Sequence, residues 1–236
     1  YIFCHNESLI YRWVEEYEPA LFSEIQELVK LGKWHIMGGW YVQPDCNIPS
    51  GEGFVRQIES GLTYFKEKFG VIPTAADNFD SFGHTQGLVQ ILSKCGYSGY
   101  ICCRPMPEFN PFSANYMKWK GFDGSSVKTA RFDDLTIYTN GLGDAVEAVK
   151  RKMKPWDDQG EEIAFALWGV GNHGGGPSDK DLGDIQTLMQ TAEENYIHST
   201  PEQFFEAINP TFVYDKSLRL CNPGTYTSMH TIKKKH

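Results

Sequence analysis

Apolar residues recur at helical spacing along much of the chain, and short strand-like runs follow each such stretch. From Glu18 to Leu31, the residues Leu21, Ile25, Leu28 and Val29 fall on one helical face, and Gly32 is suited to close that helix. Lys33 to Met37 reads as a short strand, followed by Gly38-Gly39-Trp40 and a polar loop. Ser50 is a good cap for the next helix, because its side-chain oxygen can accept a first-turn N–H. Phe54, Ile58, Leu62 and Phe65 form the apolar stripe of that helix, and Gly70 ends it. Val71 to Phe79 reads as a strand running into Asp80. Thr85 to Lys94 reads as a helix carrying Leu88, Ile91 and Leu92 and stopping near Gly96. Gly99 to Cys103 is the next strand and ends at Arg104. The stretch 105–160 is less regular, and its prolines and glycines suggest an excursion with a β-hairpin and then a helix from about Asp144 to Met153. Glu162 to Trp168 reads as an apolar strand, and Ser178 can cap a helix over 179–195.

Helix and strand in alternation predict an α/β domain built on a parallel sheet or barrel. The unusual polar and glycine-rich motifs all follow predicted strands: after Met37, after Phe79, after Cys103 and after Trp168. Loops at the C-terminal ends of parallel strands converge on one side of the sheet, where active sites are built. The most informative of them is Asp80-Ser81-Phe82-Gly83-His84, with Arg104 one helix and one strand downstream. A carboxylate at that place can act as nucleophile, metal ligand or both.

Composition narrows the picture. The chain has 236 residues, 41% hydrophobic and 14% aromatic, which is enough for one large folded domain. The net charge of −8 argues against general binding of nucleic acid or anionic membrane, since both depend on lysine and arginine meeting phosphates. The basic run Lys233-Lys234-Lys235 reads as a solvated face or a cut end rather than a binding patch. Six cysteines contain no Cys-x-x-Cys pair, and the adjacent Cys102 and Cys103 should point to opposite faces of a strand. Buried, reduced thiols and a cytoplasmic location are expected. No run is apolar enough to span a membrane.

Among the candidate groups, the glycine-rich turns lack the lysine and spacing of a phosphate loop, so tight backbone geometry explains them better. His84 either orients the loop or a ligand, or makes a structural hydrogen bond. His173 lies in the glycine-rich loop after Trp168 and is a candidate pocket residue, whereas His35 is expected to be packed. No His-x-Asp or His-x-x-x-His pair is present, so Asp80 could give a metal only one ligand. A retaining glycosidase needs a nucleophilic carboxylate and an acid/base group about 5 Å apart. An arginine near the first favours its charged form and can hold sugar hydroxyls. Asp80 and Arg104 suit those roles, and on this reasoning a glycosidase is one option among several.

The ordered motifs resemble glycoside hydrolase family 38, the zinc-dependent retaining α-mannosidases, in a bacterial-type form. They are Gly38-Gly39-Trp40, Pro44 to Glu52, Arg56-Gln57, Asp80 to His84, Arg104, Asp123-Gly124-Ser125, Gly169 to Pro177, Gly224 to Ser228 and Lys233. The resemblance implies a seven-stranded β/α barrel, incomplete here, with residues 1–220 in the catalytic domain and 221–236 opening a helical domain. It implies hydrolysis of terminal α-mannosyl residues from mannose-containing oligosaccharides through a covalent mannosyl-aspartate. Asp80 would be nucleophile and zinc ligand, while Arg104, Asn172 and His173 would contact substrate. The family's His-x-Asp ligand pair falls upstream of these residues and its last histidine ligand downstream, so the chain looks like an internal piece of a longer enzyme. Phe79 stands where proline or isoleucine is common, the usual upstream tryptophan is absent, Gly53 replaces a serine, and Asn172-His173 stands where some branches carry the acid/base. The rival readings are a catalytically inactive sugar-binding fragment and a metal-dependent carbohydrate deacetylase. Exposed barrel edges would favour self-association into a homo-oligomer.

Overall fold

Strand and helix alternate from the first residues of the computed structural model, which describes residues 1–105, 114–132, 141–170, 176–218 and 220–233. Phe3–His5 forms β1, and Ser8–Tyr17 and Pro19–Lys30 form α1 and α2. Trp34–Ile36 is β2 and pairs in parallel with β1. Gly51–Phe69 is α3, capped by the Ser50 hydroxyl, which accepts from Gly53 N at 3.2 Å, and closed by Gly70 at φ +71°. Ala75–Asn78 is β3, Gly87–Lys94 is α4 and Gly99–Cys102 is β4, with β3 and β4 parallel. The predicted hairpin is Tyr116–Lys120 (β5) and Ser126–Arg131 (β6), turned by Asp123-Gly124-Ser125. In that turn Asp123 Oδ1 accepts from Ser125 N at 3.0 Å. Strand β6 pairs in parallel with β4. Ala145–Asp157, Asp179–Thr191 and Pro201–Ala207 form α5, α6 and α7. Val213–Tyr214 is β7, beside β5, and Gly224–Thr227 and His230–Lys233 are the short helices α8 and α9.

The described residues make two sheets, β1-β2 and β3-β4-β6-β5-β7, which do not by themselves close a seven-stranded barrel. The two sheets run on from one another through a single backbone bond, Gly38 N–H to Ala75 O at 3.0 Å. The pairs β1-β2 and β3-β4 are each parallel, and the hairpin strand β5 makes the second sheet mixed.

Alternation along the strands divides the core. Ala76, Tyr100, Cys102 and Trp119 face α3 and α4, where Phe54, Ile58, Leu88 and Leu92 meet them. Ala75, Ile101, Cys103 and Ala130 face Trp156 of α5, Phe165, and Phe204 and Phe205 of α7. Cys102 and Cys103 therefore do lie on opposite faces, and all six cysteines are free thiols. Polar ends seat α7 at the N-terminal edge of the sheet. Glu202 bonds His35 Nε2 at 2.7 Å, and Lys128 Nζ donates to Phe205 O and Ile208 O, the last carbonyls of the helix, at 2.6 and 2.7 Å. Ser178 caps α6 in a capping box with Asp181, and Asp181 Oδ1 also accepts from Ala145 N at the start of α5, at 3.0 Å.

Three local expectations change. On α2 the buried face is Phe22 and Ile25 with Val29, while Leu21 and Leu28 are exposed, because the helix packs against Phe69 and the other α3 aromatics rather than along the leucine stripe. Residues 162–168 are not a strand. They pair with no strand among the described residues, and the segment instead sinks Phe165 into the core and offers Leu167 O to Lys152 Nζ at 2.6 Å. Helix α6 stops at Thr191 rather than reaching 195. Two further elements, β1 and α1, precede the first helix expected from the sequence pattern at Glu18.

Candidate active site

Parallel register brings Asp80 and Arg104 together. Asn78 pairs with Cys102 at the last rung between β3 and β4, so two further residues along each chain place the carboxylate beside the guanidinium. Arg104 Nε donates to Asp80 Oδ1 at 2.9 Å. The arginine side chain is 14% exposed and the aspartate 51%, so the cation is set back and the carboxylate stands open. The guanidinium also lies over the Phe82 ring, 4.8 Å from its centroid.

The loop carrying Asp80 is gripped from two sides. Cys46 N–H donates to Ser81 Oγ at 3.0 Å, and Asn47 Nδ2 donates to Gly83 O at 2.7 Å and to the Tyr226 hydroxyl at 3.0 Å. From the other side, His84 and Leu218 exchange backbone bonds of 3.0 and 2.9 Å, and Cys221 N–H reaches Phe82 O at 2.8 Å. Gly83 has φ +135°, and a Cβ there would lie 2.8 Å from Leu220 Cα, so no side chain fits beneath this strap. The Pro-Asp-Cys-Asn run and the Gly-Thr-Tyr run, far apart in sequence, thus meet at the same loop.

His84 takes the structural role that the sequence left open. It is buried, with Nε2 2.8 Å from Arg104 O and Nδ1 2.7 Å from the Tyr100 hydroxyl. Burial pushes its ring down to about 4, so it stays neutral. His35, expected to be packed, is partly buried against Glu202. Asn172 and His173 lie outside the described residues.

Asp77 escaped the sequence reading. It is fully buried on β3, accepts from Asn6 Nδ2 at the end of β1, and its main-chain oxygen accepts from Trp40 Nε1 at 2.8 Å. Burial pushes its carboxyl up to about 7, against the pull of the Asn6 donor. The motif that opens at Asp80 does not single it out, because the groups that surround Asp77 come from elsewhere in the chain. Among the described residues no three His, Cys, Asp or Glu side chains come together to hold a metal, and Asp80 is a single oxygen donor. A cavity of about 1070 Å³ lies beside β1, lined by Cys4, Met37, Phe79, Phe165 and Trp168 among others; neither Asp80 nor Arg104 lines it. No helix among the described residues is long and apolar enough to cross a membrane.

Residues 1–224 match the family described as glycosyl hydrolases family 38, N-terminal domain. The chain belongs to glycosyl hydrolase family 38. Within that family, alpha-mannosidase G of Dictyostelium discoideum is 32% identical over 240 residues, which cover 98% of this chain and 22% of the relative. Human alpha-mannosidase 2C1 is also 32% identical, over 243 residues covering 99% of this chain and 23% of its own length. The crystal structure of an alpha-mannosidase from Enterococcus faecalis V583 superposes with a TM-score of 0.74 at 18% identity, over 92% of this chain and 26% of that one, which shows a shared fold. This chain spans about a fifth of the length of the curated relatives it matches. The family resemblance carried by the ordered motifs is therefore correct.

Proposed function

We propose that the enzyme containing this chain is a retaining α-mannosidase that removes terminal α-mannosyl residues from mannose-containing oligosaccharides. The observation that carries the proposal is the Asp80–Arg104 pair at adjacent parallel strand ends, in a family 38 chain whose full-length relatives are named alpha-mannosidases. Asp80 attacks the anomeric carbon with one carboxylate oxygen while Arg104 Nε holds the other. The carboxylate's exposure lets a sugar approach it, and the recessed guanidinium keeps it from swinging. Ester formation breaks the glycosidic bond, whose oxygen takes a proton and leaves as the alcohol of the remaining glycan, and attack of water on the mannosyl-aspartate releases mannose and restores the carboxylate. Asn172 and His173 are proposed to contact the substrate.

Zinc is the proposed cofactor, with Asp80 as one ligand. The described residues alone do not fit a zinc site, since a stable one needs several donors and they bring one. The remaining ligands would come from other parts of the longer enzyme.

In the full-length enzyme, Asp80→Asn should lower turnover of an aryl α-mannoside by ~10⁴-fold or more with the fold retained. A fluorinated mannoside that deglycosylates slowly should leave its sugar on the peptide containing Asp80, read by mass spectrometry. Near-normal turnover by the variant, or a label on another peptide, overturns the assignment.

A further inference from the structure

Behind the Asp80–Arg104 pair runs a file of side chains, Asn78, Cys46, Tyr100 and His84, each fully buried. The proton directions between Tyr100 and Arg104 are determined from one end. The Arg104 carbonyl only accepts, so the His84 Nε2 that lies 2.8 Å away carries the ring proton. A neutral imidazole with that proton has Nδ1 as an acceptor, and the Tyr100 hydroxyl, 2.7 Å away, donates into it. The Tyr100 oxygen is left as an acceptor facing Cys46 Sγ at 3.7 Å. Cys46 Sγ in turn accepts from Asn78 Nδ2 at 3.1 Å. Burial keeps water from competing along the file and disfavours a charged ring.

The far end of this file is the backbone of the arginine that holds Asp80. The β3–β4 ladder ends at Cys102, so Arg104 lies beyond its last rung. There its carbonyl meets His84 while its side chain reaches Asp80. Strand alternation supplies the geometry, since Tyr100 and Cys102 share the helix-facing side of β4 with the residues around Cys46.

We propose that His84, held as the Nε2–H tautomer by Tyr100, is a positioning residue that anchors the Arg104 main chain and thereby the guanidinium on Asp80. The proposal rests on the reading of Asp80 as the nucleophile. A histidine that only filled the core would leave catalysis indifferent to which of its nitrogens donates.

The test is a set of variants of the full-length enzyme, assayed with an aryl α-mannoside and checked for folding by thermal melts. His84→Leu should lower kcat ~10²-fold with KM changed less than about threefold. His84→Gln, whose amide can still donate to the Arg104 carbonyl, should recover at least about tenfold of that loss. In an Arg104→Met background, His84→Leu should cost less than about twofold more, because the two act as one unit. Equal losses for Leu and Gln, or losses that multiply in the double variant, overturn the proposal. Should His84→Leu fail to fold, Tyr100→Phe carries the test: kcat lower by about tenfold supports it, and unchanged kcat overturns it. Asp80→Asn measured alongside separates the two readings. If that variant turns over normally, the nucleophile assignment fails, while coupling between His84 and Arg104 is still read from the double-variant cycle.

Discussion

Asp77 ties part of the domain's stability to pH. Its carboxyl is buried between β1, β2 and β4, near Cys4, Glu7, Tyr97 and Glu202, with Asn6 as donor to one oxygen and no partner for Oδ1 among the described residues. The folded value of about 7 lies above the ordinary 3.8, so the folded state binds more protons between these values. The stability tied to Asp77 is therefore fully present below pH 3.8 and is lost as pH rises through 7. His84 acts in the opposite sense. Its folded value of about 4 lies below 6.5, so burying it costs stability as pH falls from 6.5 towards 4. Comparing a variant with the parent isolates one group from the other. Asp77→Asn should be more stable than the parent at pH 8, by up to about 4 kcal/mol, and close to it at pH 4, in urea unfolding. A difference that does not change with pH would mean the carboxyl is ionised in the fold throughout. The sequence offered Asp80 because a motif surrounds it; it offered nothing at Asp77, whose environment comes from three other elements.

Elements were legible where local signals agree. The Ser50 cap, the Phe54-Ile58-Phe65 stripe and the Gly70 stop act within one helix, and α3 has those bounds. The buried face of α2 was not legible, since Leu21-Ile25-Leu28 and Phe22-Ile25-Val29 are both good helical stripes and only the aromatic contacts of α1 and α3 choose between them. Residues 162–168 have strand composition, but a strand also needs a paired neighbour. Close approach is another property of element pairs. A Cβ at Gly61 would lie 2.0 Å from Gly39 O and 2.6 Å from Trp40 C, so α3 packs directly on the Gly-Gly-Trp turn that follows β2. Gly61→Ala replaces a helix-disfavouring residue with the best helix former, yet it should destabilise by about 2 kcal/mol or more. A urea midpoint at or above the parent's would show that the turn can retreat from the helix.

At the scale of the whole molecule, the site exists because separate loops reach one edge of a parallel sheet. Asp80 and Arg104 are 24 residues apart, as are their paired strand residues Asn78 and Cys102. The loop between them is held by Cys46 and Asn47 from one direction and by Leu218, Cys221 and Tyr226 from the other. Stripping zinc from the full-length enzyme should abolish mannoside hydrolysis, and restoring it should return activity, with metal content read by mass spectrometry. Full activity in metal-free protein would remove zinc from the proposal and leave Asp80 as nucleophile only.

The order and spacing of motifs, by themselves, determined the family, the α/β class and the Asp80–Arg104 pairing. Each of these depends on residue identity and on the repeat length of strand and helix, which are local quantities. Tertiary structure alone decided which face of α2 is buried, that 162–168 pairs with no strand among the described residues, that the described strands form two sheets, and which way the protons run from Tyr100 to Arg104. Those outcomes depend on contacts between residues far apart in the chain, where desolvation and hydrogen-bond partners are supplied by neighbours that no local pattern names.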